Sequence, residues 1–144
     1  MMKKTTDELL NILTSVHSEA ELGNFVGKLE KSGRVPSFPE YLKEKMQERE
    51  LEAGELWRAA QIPRSYGYNI LSGVRKPRRD KVLALCLALN LSCEETQRVL
   101  KVAGAGALYP RRQRDAVIMF SLRKGLSVMD TNILLDEFSQ EPLG

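Results

Sequence analysis

Apolar residues along this chain recur at helical spacing, and no stretch alternates in the two-residue rhythm of a strand. Leu9, Leu10, Ile12, Leu13 and Val16 make one apolar face, and Phe25, Val26 and Leu29 another, so Met1–Gly33 predicts one or two helices. Ser18 followed by Glu21 has the spacing of a capping box. Two prolines mark Gly33–Pro39 as a linker or tight corner. Tyr41, Leu42 and Met46 place a helix at about Phe38–Arg49. Further helices are expected at Asp80–Leu89, from a Ser92 cap to Val102, at Arg112–Lys124 and at Ser127–Phe138. Gly104 and Gly106 end the second of these, and Leu108-Tyr109-Pro110 forms a turn.

Between Leu51 and Pro77 the pattern tightens to L-E-A-G-E-L-W-R-A-A-Q-I-P-R-S-Y-G-Y-N-I-L-S-G-V-R-K-P. This is a short amphipathic helix, a tight turn, a second short helix and a basic loop. Leu56 and Ala60 share one face of the first helix, Ile62 closes the turn, and Ile70 lies on the inner face of the second. These residues can meet in one small core, the layout of a helix-turn-helix, whose second helix enters the DNA major groove.

The segment resembles the Cro/C1-type (XRE-type) helix-turn-helix family, over roughly Phe38 to Ala103. Members typically continue with glycine, a basic loop ending in proline, and two more helices. Here Ser72-Gly73 and Val74-Arg75-Lys76-Pro77 match. The resemblance implies a five-helix lambda-repressor-like domain that binds specific DNA sequences, usually as a dimer regulating transcription. Four positions depart from the family's pattern. Ala53 stands where a DNA-touching glutamine is usual, Gln61 where the turn carries glycine, Trp57 replaces a small alanine, and Gly67 replaces a β-branched residue. The last two are read as one event, in which Gly67 makes room for Trp57. Glycine inside a helix costs about 1 kcal/mol against alanine, so a packing reason is expected.

The last two helices look like a copy of the pair before them. At an offset of 35 residues Arg79-Asp80 aligns with Arg114-Asp115, Val82 with Val117, and Leu87 with Leu122. Leu91-Ser92 aligns with Leu126-Ser127, Thr96 with Thr131, and Leu100 with Leu135. A repeated helical hairpin follows. Two copies are too few for a free-standing solenoid, so the second is expected to pack on the first, on the N-terminal helices or on another subunit. Asp80 and Asp115, near helix starts, are expected to favour the helix dipole or cap free amides. The chain is therefore read as all-α: residues 1–34 an N-terminal helical extension, 35–104 the helix-turn-helix domain, 105–144 the C-terminal hairpin.

Composition narrows the function classes. With 144 residues and 42% apolar content the chain suits one domain with helical additions. No stretch approaches the roughly 20 apolar residues of a spanning helix, and Met1–Leu10 has no signal-peptide core, so a cytoplasmic protein is expected. Cys86 and Cys93 are expected to be buried thiols, and the single histidine, His17, a surface or linker residue. Neither a nucleophile–base set nor a phosphate-binding glycine loop is present, and Glu94 and Glu95 read as helix-start residues in an exposed turn, so no enzyme activity, metal or cofactor is expected.

The net charge of +3 is unevenly spread. Arg64, Arg75, Lys76, Arg78, Arg79 and Lys81 cluster on the second helix and its loop, the electrostatic footprint of a phosphate backbone. Arg64, Ser65, Tyr68 and Asn69 are the candidates for reading bases, Arg64 through a guanine edge and Asn69 through an adenine edge. Tyr66, Arg75, Lys76, Arg78 and Arg79 are the candidates for phosphate contact. Pro63 suits the first helical turn. One of Tyr66 and Tyr68 alternatively completes the core, Arg64 is alternatively solvated, and Asn69 alternatively bonds locally. The expected partners are double-stranded DNA, a second copy of the chain and a regulatory protein. The competing reading keeps the scaffold, loses DNA and binds a protein.

Overall fold

The computed structural model describes residues 4–29 and 36–144, whose only regular secondary structure is helix. Nine helices run in order among them: α1 (Thr6–Thr14), α2 (Glu19–Lys28), α3 (Phe38–Glu48), α4 (Ala53–Ala60), α5 (Arg64–Leu71), α6 (Arg79–Ala88), α7 (Cys93–Val102), α8 (Gln113–Lys124) and α9 (Val128–Glu137). None is long and apolar enough to cross a membrane. Of the expected corner at Gly33–Pro39, residues 33–35 lie outside the described residues, and Phe38 and Pro39 already belong to α3.

The chain divides into two compact units, Met1–Pro36 and Ser37–Gly144. The first contains α1 and α2, so the expectation of one or two helices resolves to two. Thr5 opens α1 with a full capping box closed by Glu8. The box expected at Ser18 is half formed. The Ser18 hydroxyl accepts from the Glu21 amide, but the Glu21 carboxylate accepts from the amide of His17 rather than that of Ser18. His17 is exposed.

In the second unit, Ser37 and Ser92 start α3 and α7 with complete capping boxes to Glu40 and Glu95. The apolar faces of α3 to α9 together bury Tyr41, Leu42, Leu56, Trp57, Ile70, Leu83, Leu85, Leu100, Ile118 and Leu135 in one core. Helix α4 packs along α6 and against α5, and α3 packs on α5 and α7. Gln61 takes the turn between α4 and α5 at φ 57°, the left-handed conformation that favours glycine. Lys45, on α3, is 1% exposed and donates to Glu95 of α7 at 2.9 Å, and Arg49 donates to the same carboxylate at 3.0 Å. Partial burial works to raise the Glu95 carboxyl. The Lys45 bond, the Ser92 amide and the nearby cations outweigh it and hold Glu95 below its ordinary range. Glu95 is thus a pinned helix start, not the exposed turn residue expected.

The repeat is built into the bonding. Arg79 donates from Nε to the Gly106 carbonyl and from its terminal nitrogen to the Ala107 carbonyl and the Asp115 carboxylate. Arg114 donates from Nε to the Glu141 carbonyl, and from its terminal nitrogens to the Pro142 carbonyl and both Asp80 oxygens. Each donor and acceptor of the first set has its counterpart 35 positions away in the second. The Tyr109 amide donates to Asp115 and the Gly144 amide to Asp80. The Leu108 amide donates to Gln97, and the Leu143 amide to Asn132. The two hairpins therefore clasp each other crosswise, Arg of one to Asp of the other, as copies do across a twofold axis.

This corrects the expectation for the two aspartates. Both sit in the first turn of their helices, where the dipole favours them. Neither caps its own helix: α6 and α8 have no side-chain cap bond. Burial pushes the Asp80 carboxyl up, but the Arg114 bond, the Gly144 amide and the charges of Arg114 and Arg79 hold it below its ordinary value. The same pair raises the Arg114 guanidinium.

Candidate nucleic-acid interface

Helix α5 begins one residue later than the sequence suggests. Pro63 is its N-cap (φ −55°, ψ 139°), not its first turn, and the Pro63 carbonyl accepts from the Gly67 amide at 2.9 Å. Eight residues then form two turns, with Gly67 and Ile70 buried beneath. Arg64, Ser65, Tyr68 and Asn69 are all exposed. At 100° per residue they span one arc of the helix, opposite Gly67 and Ile70. The four base-reading candidates thus share one solvent-facing stripe.

Aromatic and cationic side chains are interleaved on this stripe and beside it. The Arg64 guanidinium lies 5.6 Å from the centroid of the Tyr68 ring. Tyr68 meets the indole of Trp57 edge-on at 5.7 Å. Tyr66 is half-buried and packs on the core, which decides the alternative left open for the two tyrosines. Arg75, on the loop following α5, lies 5.2 Å and Lys81, in the first turn of α6, 6.0 Å from its ring centroid, so Tyr66 anchors one cation from each.

That loop leaves α5 through Gly73 at φ 84°. Arg75, Lys76 and Arg78 are exposed on it, and Pro77 is buried. No ion pair of the described residues engages these three cations. Arg79 differs. Its guanidinium is spent on two loop carbonyls and Asp115, so its placement favours a structural strut over phosphate contact. The Arg-Asp repeat was the sequence signal for this.

Trp57 and Gly67 meet as expected. Trp57 is 1% exposed, and a Cβ built on Gly67 would lie 2.3 Å from Trp57 Cδ2. The indole therefore occupies the space that any larger residue would need, and neither tyrosine fills it. The start of α4 is acidic rather than amide-bearing: Glu52 and Glu55 are exposed on either side of Ala53 and Gly54.

Away from this face, Cys86 is fully buried and its thiol is pushed up to about 12 by desolvation. Cys93 is only partly buried, unlike the expectation, and donates from Sγ to the Met119 carbonyl at 3.3 Å. Burial also raises Cys93.

Comparison of the chain with family models, with curated proteins and with solved structures finds no match.

Proposed function

We propose that α3–α7 form a five-helix lambda-repressor-like domain, that α5 enters the major groove of double-stranded DNA, and that the protein regulates transcription by binding specific sequences. The observation that carries this is the unburied stripe Arg64, Ser65, Tyr68 and Asn69 on a helix whose other side is core. Arg64 supplies a fork for a guanine edge and Asn69 an amide for an adenine edge, each worth about 1–3 kcal/mol of discrimination. Arg75, Lys76 and Arg78, with Tyr66 holding Arg75 in place, supply charge for phosphates without reading sequence.

One observation favours a second reading, a protein-binding module on the same scaffold. Where relatives of the Cro/C1 type carry a DNA-touching glutamine, this chain has Ala53 flanked by exposed Glu52 and Glu55, which repel a phosphate backbone. Fluorescence anisotropy on DNA from the protein's own upstream region, against a scrambled control and over a salt series, separates the two. Tight binding to the native fragment alone, with a steep salt slope lost in Arg75→Glu/Arg78→Glu, supports the regulator. Arg64→Ala is then expected to cost about 1–3 kcal/mol on the preferred sequence and far less on the control. Absence of binding at low salt sinks the DNA reading in favour of a protein partner.

A further inference from the structure

Helices α8 and α9 carry an open apolar groove of about 630 Å³, lined by Gln113, Ala116, Val117, Phe120, Leu134 and Phe138. Phe120 is 49% and Phe138 61% exposed. The internal repeat shows what such a face does when it is covered. Val117, Phe120, Leu134 and Phe138 correspond, 35 positions back, to Val82, Leu85, Val99 and Ala103. All four of those are buried, at 6% exposure or less. In that hairpin α4 packs along α6, and α3 along α7. The second hairpin presents the same face with bulkier residues at three of the four positions, and no helix of the unit Ser37–Gly144 stands in the corresponding place.

Charge selects the occupant. Exposed Arg112, Arg123 and Lys124 make α8 and its start basic, while exposed Asp130, Asp136 and Glu137 make α9 acidic. Asp115, the one acidic residue of α8, is buried in the clasp. Lys124 stands 5.7 Å from the centroid of the Phe120 ring, which puts a cation on the rim of the groove. A basic helix beside an acidic one is complementary to a copy of itself turned so that α8 faces α9 of the other chain.

We propose that a second copy of this chain covers the groove, with α8–α9 of one protomer on α8–α9 of the other about a twofold axis along the helices. Phe120 and Phe138 enter the shared core. Because α8 and α9 run antiparallel within a hairpin, this axis sets Lys124 opposite the partner's Asp130 and Arg112 opposite the partner's Glu137. Isologous closure of this kind is the commonest route to a soluble dimer, and it does not depend on DNA binding.

Sedimentation equilibrium of the full chain over a concentration series is the test. The expected result is a monomer–dimer equilibrium that Phe120→Glu/Phe138→Glu converts to monomer with the melting temperature of that monomer's fold retained, since both side chains are exposed before association. Lys124→Asp alone and Asp130→Lys alone should each weaken the dimer by about tenfold. Mixing the two variants should restore it, because both cross-pairs of the mixed dimer are then attractive. A monomer at every concentration overturns the proposal, as does a dimer that survives the double Phe substitution. Mixing that restores nothing overturns the pairing of α8 with the partner's α9.

Discussion

Substituting Gly67 by alanine tests the packing on which the candidate recognition helix rests. By intrinsic propensity the change should help, since alanine in a helix interior is favoured over glycine by about 1 kcal/mol. The neighbourhood opposes it. The new Cβ would sit 2.3, 2.6 and 2.7 Å from three atoms of the Trp57 ring, where ordinary contact begins at 3.4 Å. The indole is 1% exposed and rigid, so it cannot swing away as the end of a flexible chain would. Overpacking a closed core costs typically about 1–3 kcal/mol and sometimes more. A clash with three atoms of a buried ring belongs at or above the upper end, which leaves a net loss of about 2 kcal/mol or more after the propensity gain. At roughly 4 °C per kcal/mol for a unit of this size, the melting temperature should fall by about 8 °C or more. Thermal and urea melts of Gly67→Ala, Trp57→Leu and the double variant complete the cycle. Trp57→Leu removes the ring, so Gly67→Ala in that background should be neutral or stabilising. Gly67→Ala that raises stability in the original background would refute the idea that the two residues accommodate each other.

Three further outcomes are expected. Gln61→Gly should stabilise the protein by about 0.5–1 kcal/mol in urea melts, because Gln61 holds a left-handed turn that costs a side-chain-bearing residue about 1–2 kcal/mol, offset by glycine's freer unfolded chain. Asp80 has its carboxyl held below its ordinary value, so its contribution is fully present above the ordinary carboxylate range and lost as pH falls through the folded value. Stability profiles of the original protein and Asp80→Asn should therefore differ at neutral pH and converge in acid; parallel curves would remove the ion pair from the account. Iodoacetamide at mildly alkaline pH, read by mass spectrometry, should modify Cys93 slowly and leave Cys86 untouched until unfolding, since Cys86 is pushed up to about 12 in a fully buried site.

The helices were legible because periodicity, caps and breakers agree along the chain. Ser92 and Ser127 cap where the serine positions predict, and Leu56, Ala60, Ile62 and Ile70 are all buried together. The fit of Trp57 against Gly67 was legible as two compensating oddities of size. What the sequence withheld is pairing across distance. Arg79 sits among five other cations in a basic run; the Arg-Asp repeat sets it apart, but not the fact that its partner is Asp115 of the other hairpin rather than its own neighbour. Lys45 reads as one more surface lysine of an acidic helix until Glu95, fifty positions on, is brought beside it. The half-formed box at Ser18 fails by a single amide, a choice of geometry that spacing does not encode.

The crosswise clasp also settles how many hairpins can be joined in this way. In a translational array each repeat offers one face to the unit before it and another to the unit after it, so growth has no natural end. Here Arg79 takes Asp115 and Arg114 takes Asp80, and the amides of Tyr109 and Gly144 complete the two aspartates. Each copy uses the same contact surface, and each surface is consumed by the other. The two like hairpins thus form a closed couple, and a third hairpin of the same sequence would find no vacant clasp to enter.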